Sequence, residues 1–560
     1  MFILIYSPLL KKIAVSVKRA FYILLLTFSA QTGFAQSIVK DICIGSGNSN
    51  PTNFVRMGNL TYFIANDGLH GYELWVTDGT EAGTTMVRDI DPGPSDACYY
   101  HGHLSFRAST LQALGNKVYF FASDESHGFE LWCSDGTDLG TRLIKDIMPG
   151  QISSSVDLVL VKAGNYLYFD ANDGKHGTEL WKSDGTDTGT VMVKDIFAGP
   201  QHGNPVYLFA DNDIVYFAAN DNIHGYGLWK SNGTEDGTVF IKNVAPTGDA
   251  GDSIPYVKFK GEIYFSGYSL DNGSELWKTN GTTEGTTLVK DINPGRADAL
   301  PLHFCVFKDH LIFSATTKTN GKELWQSDGT EQGTALIKDI RTGKDGSDPG
   351  APVVLGDKFY FTASDSAQRA ELWVSDLSDT GTHIFVPNTS GLQHFKILYA
   401  DTGFIYFSTD SGGTGMELWR TDGTPEGTFM LREICQGTCS SEPGNFYKSD
   451  TTLFFSANDD ARGRELWSIG SNVTFIAQIT SEKFRDVYID PLRNKLNQIR
   501  QTGSDIVYIK IFDLGGNELY KQFVKDPNQI SSDSFKPGIY ILRAYDKNDE
   551  AVSFVRFVKE

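Results

Sequence analysis

HGTELWKSDGTDTGT, His176 to Thr190, opens on a turn, runs through a short apolar stretch and closes on a second turn. Such a run bounded by Gly, Asp and Ser reads as part of a β-hairpin. Working outward from Trp181, the same letters return along the chain. The tryptophans are Trp75, Trp132, Trp181, Trp229, Trp277, Trp325, Trp373, Trp419 and Trp467, and each holds the same place in its copy. Their spacings are 57, 49, 48, 48, 48, 48, 46 and 48 residues, a period in the range of solenoids and propellers.

One period, residues 157–196, contains DLVLVKAGN, YLYFDAND, ELWKSD and VMVKDI, four short strands separated by turn residues. Tight pairs such as Gly115-Asn116, Asp211-Asn212 and Gly356-Asp357 mark the first junction, and nothing in the period has helical spacing. Leu180 and Trp181 are neighbours and point to opposite faces of their strand. A strand that is apolar on both faces belongs to a sheet packed between two others. Four-stranded sheets set radially satisfy this, which is a β-propeller. The segment SIVKDI (Ser37 to Ile42) copies the fourth strand with no first three before it, as needed where the last blade is completed by the other end of the chain. VTFIAQI (Val473 to Ile479) is a second candidate for that place. The expectation is an all-β chain with nine four-stranded blades over 36–480, eight being the alternative.

On these repeats, residues 37 to about 480 resemble the bacterial ELWxxDGT-repeat family of exported proteins. The resemblance implies location and architecture, and no particular chemistry. Departures are Gly227 in place of Glu, Asn232 and Asn280 in place of Asp, Leu377-Ser378 in place of Gly-Thr, and a ninth copy without the DGT turn.

The DGT triplet is a turn device: Asp accepts a backbone N–H two residues on, Gly supplies a positive φ, and Thr caps the bend. A second acid follows three residues later in Asp78/Glu81, Asp135/Asp138, Asp184/Asp187 and Asp328/Glu331. Calcium, which takes about 6 to 8 oxygens, is the cofactor such pairs would suit; no other cofactor and no defined metal site is implied. Glu179 and its copies either line a rim as an acidic ring or bond to neighbouring backbone. His70, His127, His176 and His224 precede Gly at a turn, and turn chemistry accounts for them. The nine tryptophans are read as core packing rather than a sugar-stacking surface.

The chain carries a formal charge of −20. Its first 35 residues contribute only Lys11, Lys12, Lys18 and Arg19, so their removal would leave the remainder near −24. A field of that sign disfavours nucleic acid. The basic stretch, the apolar run Phe21 to Ala30 and the small residues of Gly33-Phe34-Ala35 have the anatomy of a secretory signal peptide over 1–35. No later stretch approaches the length of a transmembrane helix. Export permits disulfides: Cys435 with Cys439 is one candidate pair, Cys43 with Cys98 another, while Cys133 and Cys305 read as small buried residues.

Symmetry breaks most in the 57-residue interval, where the loop Asp91 to Thr110 is longer than its counterparts and carries Tyr99, Tyr100, His101, His103, Phe106 and Arg107. Stacking rings beside polar groups suit a sugar or peptide, so Tyr99, Tyr100, His101, His103 and Arg107 are the candidate ligand-binding residues. No catalytic residue is assigned: GxSxG and HExxH are absent, and GDSIPY (Gly251 to Tyr256) lies in a repeat connector.

After residue 480 the tryptophan period stops, and strongly alternating runs with turns at Gly515-Gly516-Asn517 and Lys547-Asn548-Asp549 predict a small antiparallel β-sandwich over 486–560. Tyr488 to Pro491, Asp513 to Gly516, Lys536-Pro537-Gly538-Ile539-Tyr540 and Phe557-Val558-Lys559 resemble the C-terminal sorting domain of the type IX secretion system of Bacteroidota; Ile489 and Asp490 depart from its Tyr-Pro-Asn-Pro. That resemblance implies partnership with the secretion machinery and delivery across the outer membrane, to the cell surface or beyond. The sequence as a whole reads as a secreted or surface propeller acting as a non-catalytic binding or adhesion module for a glycan or protein. The alternatives are an extracellular polysaccharide hydrolase or lyase, and a structural surface component.

Overall fold

The computed structural model describes residues 36–98, 111–155, 158–248, 255–365, 370–385, 392–401, 403–450 and 452–470, together with strand segments between 484 and 559. One compact unit is Gln36–Ile469; the other includes Gly470–Glu560. All regular elements among the described residues are strands.

The stretch around Trp181 shows how each sheet is built. Val161–Ala163, Tyr166–Asn172, Thr178–Ser183 and Val191–Lys194 pair antiparallel in chain order, with Phe169 opposite Trp181. Sheets of this kind recur at 52–86, 111–145, 161–194, 206–242, 245–290, 302–338, 353–384 and 393–432, numbered here blades 1 to 8. Blade 5 has a divided inner strand, with Ala245–Pro246 and Tyr256–Phe259 both pairing Glu262–Ser269. The ninth blade takes Gly444–Ser449, Thr452–Asn458 and Arg464–Gly470 from the end of the unit, and its outer strand, Gln36–Lys40, from the beginning. Ile38 stands opposite Trp467. The count is therefore nine, and the N-terminal strand closes the last blade; Val473 to Ile479 lies outside the described residues.

Apolar pairs facing both ways explain the packing. Leu74 of blade 1 is buried against Val118, Phe120 and Trp132 of blade 2, whereas Trp75 is buried against Phe454 and Leu466 of blade 9 and Val39 of the closing strand. Every repeat tryptophan is only 3–8% exposed. Burying such a ring contributes on the order of 1.5–3 kcal/mol. In most blades the pairing of third and outer strands shifts register between Leu and Trp, as at Leu180/Trp181, a bulge that adds twist where the sheets must fan out.

Closure of the wheel is visible at the seam between blades 9 and 1. Phe54 stacks on Tyr447 at 5.9 Å, Thr61 Oγ1 donates to Ser449 Oγ at 2.9 Å, Arg56 pairs with Asp450, and Lys40 Nζ donates to Thr84 O at 2.7 Å. These contacts repeat elsewhere: Lys258 pairs with Asp211 and Lys448 with Asp401 along the inner strands, while Lys194 and Lys242 reach Thr238 O and Thr286 O of the next blade along the outer ones.

In the second unit, Phe484–Asp490 pairs antiparallel with Lys495–Gln501. A four-stranded antiparallel sheet has the order Glu518–Phe523, Ile506–Asp513, Gly538–Asp546, Ala551–Lys559.

Candidate functional site

Antiparallel order gives the wheel two unlike ends. One carries the turns between first and second strands and the DGT turns between third and outer strands. The other carries the hairpins between second and third strands and the loops that pass from one blade to the next.

At the turn end, polar groups are consumed by neighbours in a repeated pattern. In blade 3, Asp184 Oδ1 accepts from Thr186 N at 2.9 Å and Thr186 Oγ1 at 2.7 Å, Gly189 N donates to Thr186 Oγ1, and Ser183 Oγ meets Thr190 Oγ1 at 2.7 Å. Gly185 has φ +88°, and a Cβ there would overlap the Tyr119 hydroxyl of blade 2. Tyr62, Tyr168, Tyr216, Tyr264 and Tyr360 stand in the same way against Gly136, Gly233, Gly281, Gly329 and Gly423, whereas across the seam Phe454 leaves room for a Cβ on Gly79. Blade 7 departs with Leu377, at φ +88° without being Gly, and the residue it meets from blade 6 is Ile312 in place of tyrosine. Of the second acids considered for calcium, Asp138 lies 3.5 Å from Arg88 and Asp187 3.3 Å from Lys145, each basic group coming from the preceding blade.

The glutamates of ELW do not form a ring on a rim; all but the half-buried Glu371 are buried, and most of these clamp backbone. Glu179 accepts from Ile196 N at 2.9 Å, Phe197 N at 3.2 Å and Gly203 N at 2.9 Å, holding the loop that leaves its own blade. Glu465 does the same across the seam, accepting from Ile42 N at 2.8 Å and Ser49 Oγ at 2.7 Å. Burial outweighs these bonds and pushes Glu130, Glu179, Glu275 and Glu465 up to about 7. Glu73 differs from the rest: Ala97 stands where Glu130, Glu323, Glu417 and Glu465 meet a serine hydroxyl, but Glu275 faces Ala299 in the same way and keeps its backbone donors. Neither oxygen of Glu73 has a hydrogen bond of normal geometry, and burial raises it to about 9.

The loop end is where equivalent positions diverge. In blades 1 to 4 the hairpin tips hold His70, His127, His176 and His224, whose Nδ1 atoms lie 2.6–2.8 Å from Asp67, Asp124, Asp173 and Asp221. The hydrogen bonds with Asp67 and Asp173 raise His70 and His176. Blade 9 puts Arg462 on Asp459 in the same place, at 2.5 Å, whereas blades 5, 6 and 8 have Asn272, Asn320 and Thr414. Large apolar side chains stand in solvent on this end: Ile44, Leu69, Ile152, Ile223 and Leu270 are 61–89% exposed. Leu139, at 95%, is a counterpart on the turn end.

Around the inner rim of the same end, Asn53, Tyr207, His303, His394 and Asn445 adopt φ of +53° to +59° where each inner strand begins, at a register shift with the second strand. Non-glycine residues in this region carry a backbone cost of about 1–3 kcal/mol. For all but His394 the sequence signal is a residue two places after proline, as in Asn50-Pro51-Thr52-Asn53 and Leu300-Pro301-Leu302-His303, which the tryptophan period does not bring out.

Of the residues selected from sequence, Tyr99, Tyr100, His101, His103 and Arg107 lie outside the described residues. Gly251 to Ile254 of GDSIPY do as well. Cys435 and Cys439 are bridged, with Cα atoms 5.5 Å apart. Cys43 and Cys98 are not joined: both are free thiols, and Cys98 is buried in the core between blades 1 and 2 while Cys43 sits on the loop after the closing strand. Cys133 is buried and Cys305 half-buried. Among the described residues no three His, Cys, Asp or Glu side chains gather as a metal set, and no helix is long and apolar enough to cross a membrane.

No family model and no curated protein matches the chain. Solved structures similar to it include a puromycin hydrolase (13% identity, TM-score 0.31, 69% of this chain and 61% of that one) and a prolyl endopeptidase (11%, 0.33, 72% and 60%). The chain thus spans about three fifths of the length of those two proteins. Another is PorZ, an essential bacterial surface component of the type IX secretion system of Porphyromonas gingivalis (11% identity, TM-score 0.25, 91% of this chain and 81% of that one). Likeness at this level carries no argument about activity, and the propeller assignment rests on the chain's own nine sheets and their closure.

Proposed function

We propose that this protein is an exported, non-catalytic binding propeller of the ELWxxDGT-repeat kind, engaging a glycan or a surface protein through its loop end and delivered by type IX secretion. The observation that supports the reading is the contrast between ends. Turn-end polar groups are spent in a repeated pattern within each turn and on the adjacent blade, whereas the loop end varies blade by blade and keeps large apolar groups in solvent, as binding surfaces on rigid scaffolds do. Export is supported by the leader-like first 35 residues and by the sorting-type marks from Tyr488 onward.

The test is retention of the purified chain on a glycan array and on extracted surface proteins, beside the triple substitution Tyr99→Ala, Tyr100→Ala, His101→Ala and a polysaccharide-degradation assay. Saturable retention without product is expected, weakened in the triple variant at unchanged melting temperature. Product release would replace the binding reading with the hydrolase or lyase alternative.

A further inference from the structure

Between the loop leaving blade 5 and the hairpin of blade 6 lies a cavity of about 400 Å³. Asn293 and Pro294 form one wall, the hairpin 317–320 the other, and Trp325 and Leu336 lie beneath. We propose that this cavity binds one neutral monosaccharide unit of a glycan. The proposal deepens the binding reading above and rests on it.

The opening is clearest against blade 4, where the same space is filled. In blade 4 the hairpin residue is His224, whose ring stacks on Phe240 at 4.2 Å and 14°, and Phe240 is the register partner of Trp229. Ninety-six residues on, two periods of 48, the same three positions are Asn320, Leu336 and Trp325. Leu143 and Leu288 hold the Phe240 position elsewhere, so the two stacked rings are blade 4's own filling, and with Asn320 and Leu336 blade 6 leaves space between its hairpin and the loop from blade 5. Blade 5 also has Asn272 and Leu288, but the chain entering it runs as Ala245–Pro246 against Glu262–Ser269 and does not supply the wall that Asn293 and Pro294 make.

The lining is held in place before any ligand arrives. Asn293 is 4% exposed; its Nδ2 donates to Asp298 O at 3.0 Å, and its Oδ1 accepts from Lys318 N at 3.3 Å. Asn320 Nδ2 donates to Asp339 Oδ2 at 2.9 Å, and Thr319 Oγ1 donates to Asn320 Oδ1 at 2.7 Å. Amides and hydroxyls retain further hydrogen-bonding capacity for a polyol, and Leu336 and Pro294, over the buried Trp325, offer apolar surface to the C–H face of a pyranose. The size lies in the usual range of small-molecule pockets, about 300–1,000 Å³. Acidic sugars are disfavoured: Asp339 and Asp298 stand behind the two walls, Lys318 is the one cation in the lining, and the whole chain carries −20.

The purified full chain is titrated calorimetrically with the methyl glycosides of glucose, galactose, mannose and N-acetylglucosamine, and with glucuronate. Saturable binding of at least one neutral glycoside is expected, weakened at least tenfold by Asn320→His, which rebuilds the blade 4 side chain, and by Leu336→Phe, which restores its stacking partner, each judged at a melting temperature matching the parent. Equal binding by a folded filled variant, preferential binding of glucuronate, or no saturable binding of any neutral glycoside overturns the proposal. The same variants on the glycan array separate the two readings. Retention that survives filling leaves the propeller a binder with its site elsewhere, whereas no retention of the parent removes the binding reading itself.

Discussion

Each conspicuous residue of the repeat is explained by what it touches in another strand or blade. The tryptophans are buried between sheets, and among the ELW glutamates other than Glu73, residues such as Glu179 and Glu465 are acceptors for backbone that would otherwise be unsatisfied in the interior. The tyrosine of one blade requires glycine in the next, and the pair Ile312/Leu377 shows the exception changing on both sides together. Ile312→Tyr alone should therefore destabilise the protein by about 1–3 kcal/mol through overpacking. Adding Leu377→Gly should recover most of that loss, giving a coupling of at least about 0.5 kcal/mol in a double-mutant cycle by chemical denaturation. Additive losses would show that the two side chains do not share one site.

At the scale of the element, the closing strand Gln36–Lys40 is the piece on which the wheel depends. It supplies buried Val39 to the seam, pairs Ile38 with Trp467, sends Lys40 to blade 1, and leads into the loop gripped by Glu465. Without it Arg464–Gly470 becomes an open edge, an invitation to intermolecular pairing. Val39→Asp should cost about 3–5 kcal/mol, since it buries an unpaired charge where a methyl pair packs. The measurement is thermal melting with light scattering: a lower midpoint accompanied by aggregation is expected, and an unchanged melt would mean that another segment closes blade 9. The inner-rim bulges belong to the same scale. They were not legible from hydrophobic period because one extra residue of left-handed backbone changes register without changing which residues are apolar.

For the whole molecule, the glutamate clamps predict how stability responds to pH. A carboxyl raised from its ordinary 4.5 to about 7 in the fold binds protons more tightly there than in the unfolded chain. Its contribution is fully present below about 4.5 and is lost as pH rises toward 7, with Glu73 extending the loss toward 9. Asp78, Asp135, Asp328 and Asp376 act oppositely: hydrogen bonds from the turn Thr or Ser hold them below 3.8, so their contribution is lost only in stronger acid. The melting temperature should be higher at pH 5.5 than at pH 8.5, and Glu73→Gln should narrow the gap by raising the alkaline value. A melt that rises with pH across that interval would show that the clamps are ionised in the fold without cost.

The sequence by itself determined the blade and the number of copies, because a strand apolar on both faces and a fixed tryptophan period are local facts with one radial solution. It also indicated the closing strand, since Ser37 to Ile42 copies a fourth strand lacking its partners. Which of two candidate segments completes blade 9, which cysteines meet, and where a cavity opens were decided by tertiary structure. Those outcomes depend on residues brought together across a ring, such as Ile38 with Trp467 or Pro294 with Asn320, and neither separation along the chain nor residue type encodes that proximity. The glutamates illustrate the division: the repeat announced them as one class, but only the fold, by burying Glu73 without a hydrogen bond of normal geometry beside Asp89 and Asp91, set it apart.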